Sequence, residues 1–197
     1  MSPGVTFERV YFALKGELGS GRYGAGEHLE PSSLSADLNA SITPVRDALH
    51  RLVGEGLVEA PRGDGFRTPH LTEIGLRHLY RWNGILLDLA VRATGSSIKP
   101  DESHLIDRTE TLFLAISLRS GNPEHVAAVK RLSERLRPMR HIEAEVLSDV
   151  ETEIEEIRKL LSEAKPAPAR RALTTYHRRR ERIAAEIVER LHNTGRN

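Results

Sequence analysis

The residues best suited to chemistry in this 197-residue chain are hydroxyl and guanidinium side chains gathered in two short stretches. Ser41 and Thr43 lie at the predicted start of a helix, and Arg46 follows within its first turn. The N–H groups at such a helix start favour phosphate, and an arginine fork can grip the O6 and N7 atoms of guanine. Arg62 and Arg67 flank a glycine-rich turn whose backbone can approach a narrow groove. These residue types indicate binding of nucleic acid rather than catalysis.

The helix that positions the first stretch has the clearest start in the sequence. Thr43 is a capping residue, and Pro44 fits the first helical position, where its missing N–H costs nothing. One apolar stripe then follows at helical spacing: Val45, Ala48, Leu49, Leu52 and Val53. Arg46 lies off this stripe. Two simpler interpretations remain open: Thr43 only caps the helix, and Arg51 pairs with Asp47 four residues earlier instead of contacting phosphate.

Two shorter helices are predicted before this one. Apolar residues recur at helical spacing from Phe7 to Leu18, and several glycines then end the segment. Ser32 and Ser33 offer N-caps for a short second helix. The third helix and its polar first turn therefore follow a helix pair, as in a helix-turn-helix.

A hairpin is predicted after the third helix. Residues 57–60 and 66–68 are strand candidates, and the turn between them contains Gly63 and Gly65. Three helices followed by a hairpin is the order of a winged helix-turn-helix, which we predict for residues 1–71.

The remaining residues, 72–197, have a helical pattern throughout. Periodic apolar positions and loop-forming breaks predict five segments: 72–94, 101–120, 123–147, 149–164 and 169–193. We therefore expect a mainly α protein, with an N-terminal winged helix-turn-helix domain and a C-terminal all-α helical bundle.

Residues 25–68 resemble the DNA-binding domain of the GntR family of bacterial transcription regulators. The motifs that carry the resemblance are Gly26-Glu27-x-Leu29, Leu34-x3-Leu38, Ser41-x-Thr43-Pro44-Val45-Arg46-x-Ala48-Leu49-x-Arg51-Leu52 and Glu55-Gly56-Leu57-Val58. The resemblance implies that the helix from Pro44 enters the major groove and that the wing follows the minor groove. The residues expected to contact DNA are Ser32, Ser33, Ser41, Thr43, Pro44, Arg46, Arg62, Gly63, Gly65 and Arg67.

Two positions depart from the family pattern. Ile42 stands where the family usually has an arginine, and Ser32 stands where relatives often have a basic residue. Residues 1–72 also hold seven Lys/Arg against nine Asp/Glu, so this part of the chain carries no basic excess. Either the operator differs from those of relatives, or affinity depends on dimerisation and on DNA shape.

The C-terminal half resembles, more loosely, the effector-binding domain of the FadR-like (FCD) branch of that family. Its first helix, the Ser120-Gly121-Asn122-Pro123 turn and the closing helix around His177 carry the match. An acid or acyl effector is a candidate ligand, and the residues proposed to bind it are Arg81, Asn83, Tyr176 and His177. The simpler interpretation of each alone is a helix-surface polar group.

Many domains of this branch hold a divalent metal through an Asp-x3-His pair and two later histidines. Aligning the turn places Thr109 and Phe113 at the pair, and a shifted register offers Lys130 and Glu134. The third ligand falls near Glu153 or Ile154, and only His177 is retained among the expected ligands. Because such a metal needs several imidazole and carboxylate groups, we expect no metal and no other cofactor.

Composition excludes several classes of protein. The absence of cysteine rules out disulfides, thiolate zinc sites and cysteine nucleophiles. No apolar run approaches the roughly 18 residues of a membrane helix, and the first residues do not form a signal peptide. We therefore expect a soluble, cytoplasmic protein.

The sequence favours a transcription regulator, acting as a repressor, that binds an inverted-repeat DNA operator as a homodimer and responds to a small-molecule effector. The alternative is a nonspecific or architectural DNA-binding protein that uses the same winged domain, for which Ile42 is the motivating observation. An enzyme is disfavoured because the chain shows no recognisable Ser-His-Asp arrangement, glycine-rich phosphate loop or histidine pair.

Overall fold

The structure, a computed structural model, describes residues 3–93 and 108–194. These residues form nine α-helices and no β-strand. The helices are α1 (Pro3–Gly19), α2 (Pro31–Asp37), α3 (Ile42–Glu55), α4 (Glu73–Arg92), α5 (Arg108–Leu118), α6 (Pro123–Val146), α7 (Val150–Ser162), α8 (Pro166–Arg182) and α9 (Ala184–Thr194). None of these described helices is both long and apolar enough to cross a membrane.

Contacts divide the described chain into two units. The first contains the residues up to Thr72, together with Arg137–His141 and the residues from Val188 onward. The second contains the described parts of Glu73–Leu136 and Ile142–Ile187. A domain boundary between residues 71 and 72 stays a prediction.

The core of the first unit is built on α1 and α3. Val45, Ala48, Leu49 and Leu52 of α3 are fully buried because their spacing places them on one side of the helix. They pack in one cluster with buried residues of α1, namely Val10, Tyr11, Leu14 and Leu18. Since each fully buried aliphatic side chain contributes about 1.5–3 kcal/mol, this stripe fixes which side of α3 faces outward.

The core of the second unit joins α4, α5, α7 and α8. Leu87, Phe113, Ile116, Ile157 and Leu173 lie in one buried cluster. Each comes from a segment whose apolar positions recur at helical spacing, so helix periodicity alone places them inward.

The predicted helical segments agree with α4, α6 and α7 to within about two residues at each end. The prediction of one closing helix over 169–193 is wrong. α8 begins earlier, at Pro166, and Ile183 separates α8 from α9 with a φ of −94° and a ψ of 9°. No glycine or proline marks that break in the sequence. Of the predicted segment 101–120, residues 108–118 form α5, and 101–107 lie outside the described residues.

Candidate nucleic-acid interface

The turn between α2 and α3 is held by an arginine from α1. The Arg9 guanidinium donates hydrogen bonds to the carbonyl oxygens of Leu38 at 2.9 Å and Asn39 at 3.2 Å. Asn39 adopts a left-handed conformation with a φ of 46°, which asparagine tolerates better than most residues. Arg9 therefore fixes the angle at which α3 leaves the turn, a role that local sequence patterns did not indicate.

The recognition helix starts earlier than predicted. α3 begins at Ile42, and Ser41 is its N-cap, although the Ser41 side chain makes no capping hydrogen bond. The predictions of Thr43 as the cap and Pro44 as the first helical residue are therefore wrong. Pro44 is tolerated in the third helical position because that N–H has no intrahelical partner either. Capping does not occupy either hydroxyl in this first turn.

The exposed side of the first turn carries the groups expected to contact DNA. Ser41, Thr43 and Arg46 are all exposed, whereas the adjacent Val45 is fully buried. Arg46 has no ion pair or hydrogen-bond partner among the described residues. Its guanidinium is free to bind a base edge or a phosphate.

The wing is a hairpin without regular strands, so the predicted strands at 57–60 and 66–68 are wrong. Its pairing is reduced to two isolated bridges, in which Arg67 pairs with Glu59 and with His28. The Glu59–Arg67 bridge has both backbone hydrogen bonds, at 2.8 and 2.9 Å. Pairing this short satisfies few backbone groups, and the tip is shaped by Gly63 and Gly65, with φ values of 81° and 69°.

The two wing arginines differ in availability. Arg62 is exposed at the tip and has no ion-pair partner among the described residues. Arg67 is partly buried and pairs with Glu59 at 3.2 Å and Asp64 at 3.3 Å. Arg62 is therefore the better-placed phosphate contact of the two.

The two serines of α2 are exposed but do not cap it. Glu30 is the N-cap and Pro31 begins the helix, so the prediction of Ser32 and Ser33 as caps is wrong. The Ser32 hydroxyl donates to the Glu30 carboxylate at 3.1 Å. This neighbouring negative charge makes Ser32 a poorer phosphate contact than Ser33.

The alternative ion pair of Arg51 with Asp47 is wrong, because Arg51 turns toward Glu55 instead. Its Nε lies 3.4 Å from the Glu55 carboxylate, and its guanidinium lies 4.0 Å from the centre of the Tyr11 ring. Glu55 also accepts hydrogen bonds from Tyr11 at 2.7 Å and Lys15 at 2.8 Å. Burial opposes ionisation of Glu55, but the Lys15 and Tyr11 hydrogen bonds outweigh it and lower the pKa of this carboxyl below its ordinary value.

Three of the four proposed effector residues lie together in the second unit. Asn83, Tyr176 and His177 are buried, and the Tyr176 and His177 ring centres are 5.0 Å apart. Asn83 Oδ1 lies 3.0 Å from His177 Nε2, while Asn83 Nδ2 is buried without a partner among the described residues. Arg81 is separate from this group, since it is exposed and pairs with Glu181 at 2.9 Å.

A buried arginine beside this group was missed from the sequence. Arg180 is fully buried and donates to Glu143 at 2.6 Å and to Glu153 at 2.8 Å. Its guanidinium carbon lies 3.3 Å from the centre of the Tyr176 ring. Burial opposes the charge, but Tyr176 and the two carboxylates outweigh it and raise the pKa of Arg180 above its ordinary value. Arg180 Nη2 has no hydrogen-bond partner among the described residues.

The residues at the metal positions of the FadR-like branch do not fit a metal ion. The Phe113 ring stacks on the His177 ring, with centroids 5.8 Å apart. Both His177 ring nitrogens already lie within hydrogen-bond distance of other groups, the Leu173 carbonyl at 2.7 Å and Asn83. Glu153 is bound by two arginines. The described residues hold no cluster of three side chains able to bind a metal.

The three helices, the outward-facing first turn of α3 and the wing have the arrangement of a winged helix-turn-helix domain. Residues 6–67 match the family described as "Bacterial regulatory proteins, gntR family". This match confirms the resemblance seen in residues 25–68.

Two relatives are transcription regulators. The Nta operon transcriptional regulator of Aminobacter aminovorans is 33% identical over 138 residues, which cover 60% of this chain and 65% of that protein. The HTH-type transcriptional regulator McbR of Escherichia coli (strain K12) is 27% identical over 178 residues, covering 90% of this chain and 63% of that protein. The chain thus spans just under two thirds of the length of these relatives.

Solved structures share the fold over most of the chain. E. coli McbR/YncC has a TM-score of 0.66 at 23% identity, covering 92% of this chain and 97% of that one. A putative transcriptional regulator GntR from Rhodococcus sp. RHA1 has a TM-score of 0.73 at 18% identity, covering 93% and 97%. These likenesses confirm the mainly α fold class with an N-terminal helix-turn-helix and a C-terminal helical domain. Both relatives, and the Rhodococcus neighbour, are described as transcription regulators.

Proposed function

We propose that this chain is a sequence-specific transcription regulator, acting as a repressor, whose binding to a DNA operator changes with a small-molecule effector. The observation that carries the proposal is the start of α3, where Ser41, Thr43 and Arg46 are exposed whereas Val45 of the buried stripe is not. The N-terminal turn of a recognition helix is the part that contacts base edges in this class of protein.

The operator proposed is a short inverted repeat bound by a homodimer. One α3 helix and one wing contact only a half-site, and two-fold symmetric proteins match palindromic DNA. In each half-site Arg46 would bind a base edge, and Arg62 at the wing tip would bind phosphate beside the minor groove. This assignment is supported by the exposure of both arginines and by their lack of ion-pair partners among the described residues.

The effector proposed is a carboxylic acid or acyl compound that binds near Asn83, Tyr176 and His177. Two buried donors in this region, Asn83 Nδ2 and Arg180 Nη2, have no acceptor among the described residues. Because an unpaired buried donor costs about 1–3 kcal/mol, a ligand that brings acceptor oxygens to it gains affinity. Carboxylate and carbonyl oxygens are such acceptors.

Selection of DNA from a random pool by the full-length protein tests the proposal. We expect an enriched inverted repeat, and we expect Arg46→Ala to lose preference at one base position of each half-site. Repeating the selection with carboxylic acids of increasing chain length should identify an acid that weakens operator binding. An enriched motif that Arg46→Ala leaves unchanged would contradict the assignment of Arg46.

A second candidate function is nonspecific or architectural DNA binding through the same domain. The observation that favours it is Ile42, which is 47% exposed in the first turn where relatives usually have an arginine. An apolar side chain there contacts no phosphate and no polar base edge. This function predicts that selection returns no enriched motif although the protein binds DNA tightly at low salt.

A further inference from the structure

Helix α4 is apolar on two opposite sides. One side is buried and contains Leu76, Tyr80, Leu87 and Ala90. The other is exposed and contains Ile74, Trp82, Ile85 and Leu89, whose exposed fractions are 66, 49, 46 and 53%. At 3.6 residues per turn these four fall within an arc of about 80°. The exposed His78 lies on the same side between Ile74 and Trp82. The four apolar residues are named here the α4 stripe.

The α4 stripe differs from ordinary exposed apolar residues. Single exposed apolar side chains are normal and need no explanation, whereas a contiguous group marks an interaction surface. Among the described residues, the other large exposed apolar side chains are Phe12, Ile42 and Leu118, which lie on three different helices. The α4 stripe is therefore the concentrated apolar surface of the second unit.

Charged residues beside the stripe are already paired within the unit. Arg77 pairs with Glu73 at 2.8 Å, and Arg92 pairs with Asp88 at 2.7 Å. Arg81, which follows the same side of the helix, is paired with Glu181. Two copies of this surface can therefore meet without opposing unpaired like charges, and the paired charges supply the polar rim that interfaces have.

The length and centre of the stripe suit a two-fold axis. From Ile74 to Leu89 it extends about 22 Å at 1.5 Å per residue, and Trp82 lies next to its midpoint. Two α4 helices packed antiparallel would place Ile74 of each copy near Leu89 of the other, with the two Trp82 side chains at the centre. Buried aromatic side chains near the centre of an interface carry much of its binding energy.

We propose that the α4 stripe is the interface between two copies of this chain. The proposal rests on the homodimer included in the proposed function, and it names the surface that forms it. A specific interface buries roughly 800 Å² on each partner, so the interface must also include residues that flank the stripe, with the stripe as its apolar centre.

The intrinsic fluorescence of the full-length protein tests the proposal without mutation, because Trp82 is the single tryptophan of the chain. We expect the emission to shift to shorter wavelength, and quenching by acrylamide to fall, as concentration rises from nanomolar to tens of micromolar. Both changes should follow the dimer fraction measured by sedimentation. An emission spectrum that stays constant while the protein passes from monomer to dimer would overturn the interface but leave the homodimer intact.

A charged substitution provides the second measurement. Ile85→Glu should raise the dimer dissociation constant at least about tenfold, which corresponds to about 1.4 kcal/mol. The matched control is Phe12→Glu, which adds the same charge at a 64% exposed apolar residue of α1 and should leave the dimer unchanged. A folded Ile85→Glu protein that dimerises like wild type also overturns the interface. Wild-type protein that stays monomeric at every concentration would refute both the interface and the proposed homodimer.

Discussion

The two units of this chain use arginine in opposite ways. In the first unit Arg46 and Arg62 are exposed and have no ion-pair partner among the described residues. In the second unit Arg180 is fully buried between Glu143 and Glu153. A solvated guanidinium costs little to leave unpaired and stays available to an external polyanion, whereas a buried one must be neutralised inside the protein. The first arrangement leaves a cation available to an external partner, and the second holds helices together.

The largest expected effect is a loss of stability when the buried ion pairs of Arg180 are broken. Arg180→Met leaves the buried Glu143 without its cation, and removing one partner of such a pair costs about 3–5 kcal/mol. Urea unfolding of the full-length protein measures the loss. The control is Arg81→Met, which removes an exposed ion pair and should cost less than about 1 kcal/mol. Equal losses for the two variants would show that burial does not distinguish these arginines.

Replacing an exposed arginine of the first unit should change the affinity for DNA rather than the free energy of unfolding. Arg46→Ala is expected to weaken operator binding by about 1–3 kcal/mol and to relax one base position. Its free energy of unfolding should stay within about 0.5 kcal/mol of wild type, because an unpaired surface side chain supports no core contact. Titrations of the selected operator and of single-base variants check this. Unchanged affinity would mean that α3 does not contact DNA through its first turn.

A third prediction concerns the cluster that Glu55 forms with Tyr11 and Lys15. Its burial is intermediate between that of the exposed Arg46 and that of the buried Arg180. Glu55→Gln should destabilise the protein by about 1 kcal/mol at neutral pH, because Lys15 loses a charged partner. The folded-state pKa of Glu55 is lowered, so its contribution is complete above the ordinary pKa of about 4.5 and is lost as pH falls through the lower folded value.

The measurement is denaturant unfolding as a function of pH. The difference between wild type and Glu55→Gln should shrink toward acid pH. Asp47→Asn is the control for removing a negative charge from the same helix, since Asp47 is exposed. A difference that is constant with pH would contradict ionic stabilisation by Glu55.

The smallest effect is expected at the wing tip. Arg62→Ala should weaken binding almost equally for all DNA sequences and reduce the slope of log affinity against log salt by about one. Affinity measured at several salt concentrations, with operator and with unrelated DNA, checks this. A loss confined to the operator would instead assign Arg62 to base recognition.

Sequence periodicity predicted most of the fold because burial in a helix follows spacing. The stripe of Val45, Ala48, Leu49 and Leu52 fixed the orientation of α3, and the side on which Arg46 lies followed from it. The start of α3 was misplaced because proline fits each early helical position, so Pro44 alone does not identify the first one. Regular strands were wrongly predicted in the wing, because β-propensity does not indicate how many backbone hydrogen-bonded pairs a short hairpin forms.

The buried polar groups could not be predicted from local patterns, because their partners are far apart in sequence. Arg180 lies in the basic run of residues 178–180, a pattern typical of a solvated surface, although it follows Tyr176 of the buried stripe by four residues. That spacing was the available signal. Its partner Glu143 lies 37 residues away, and Arg9 meets Asn39 across 30 residues. Neither of these sequence separations produces a periodic pattern from which the contact could be predicted.

The Arg180–Glu143 pair also restricts how this sequence can change over evolutionary time. Replacing either residue first leaves a buried charge without its partner, so each single step is selected against even when the double replacement by apolar residues would be tolerated. The order of substitutions then matters, and the pair is expected to persist or disappear together. Exposed positions without an ion-pair partner among the described residues, such as Arg62, carry no such dependence and can change one at a time.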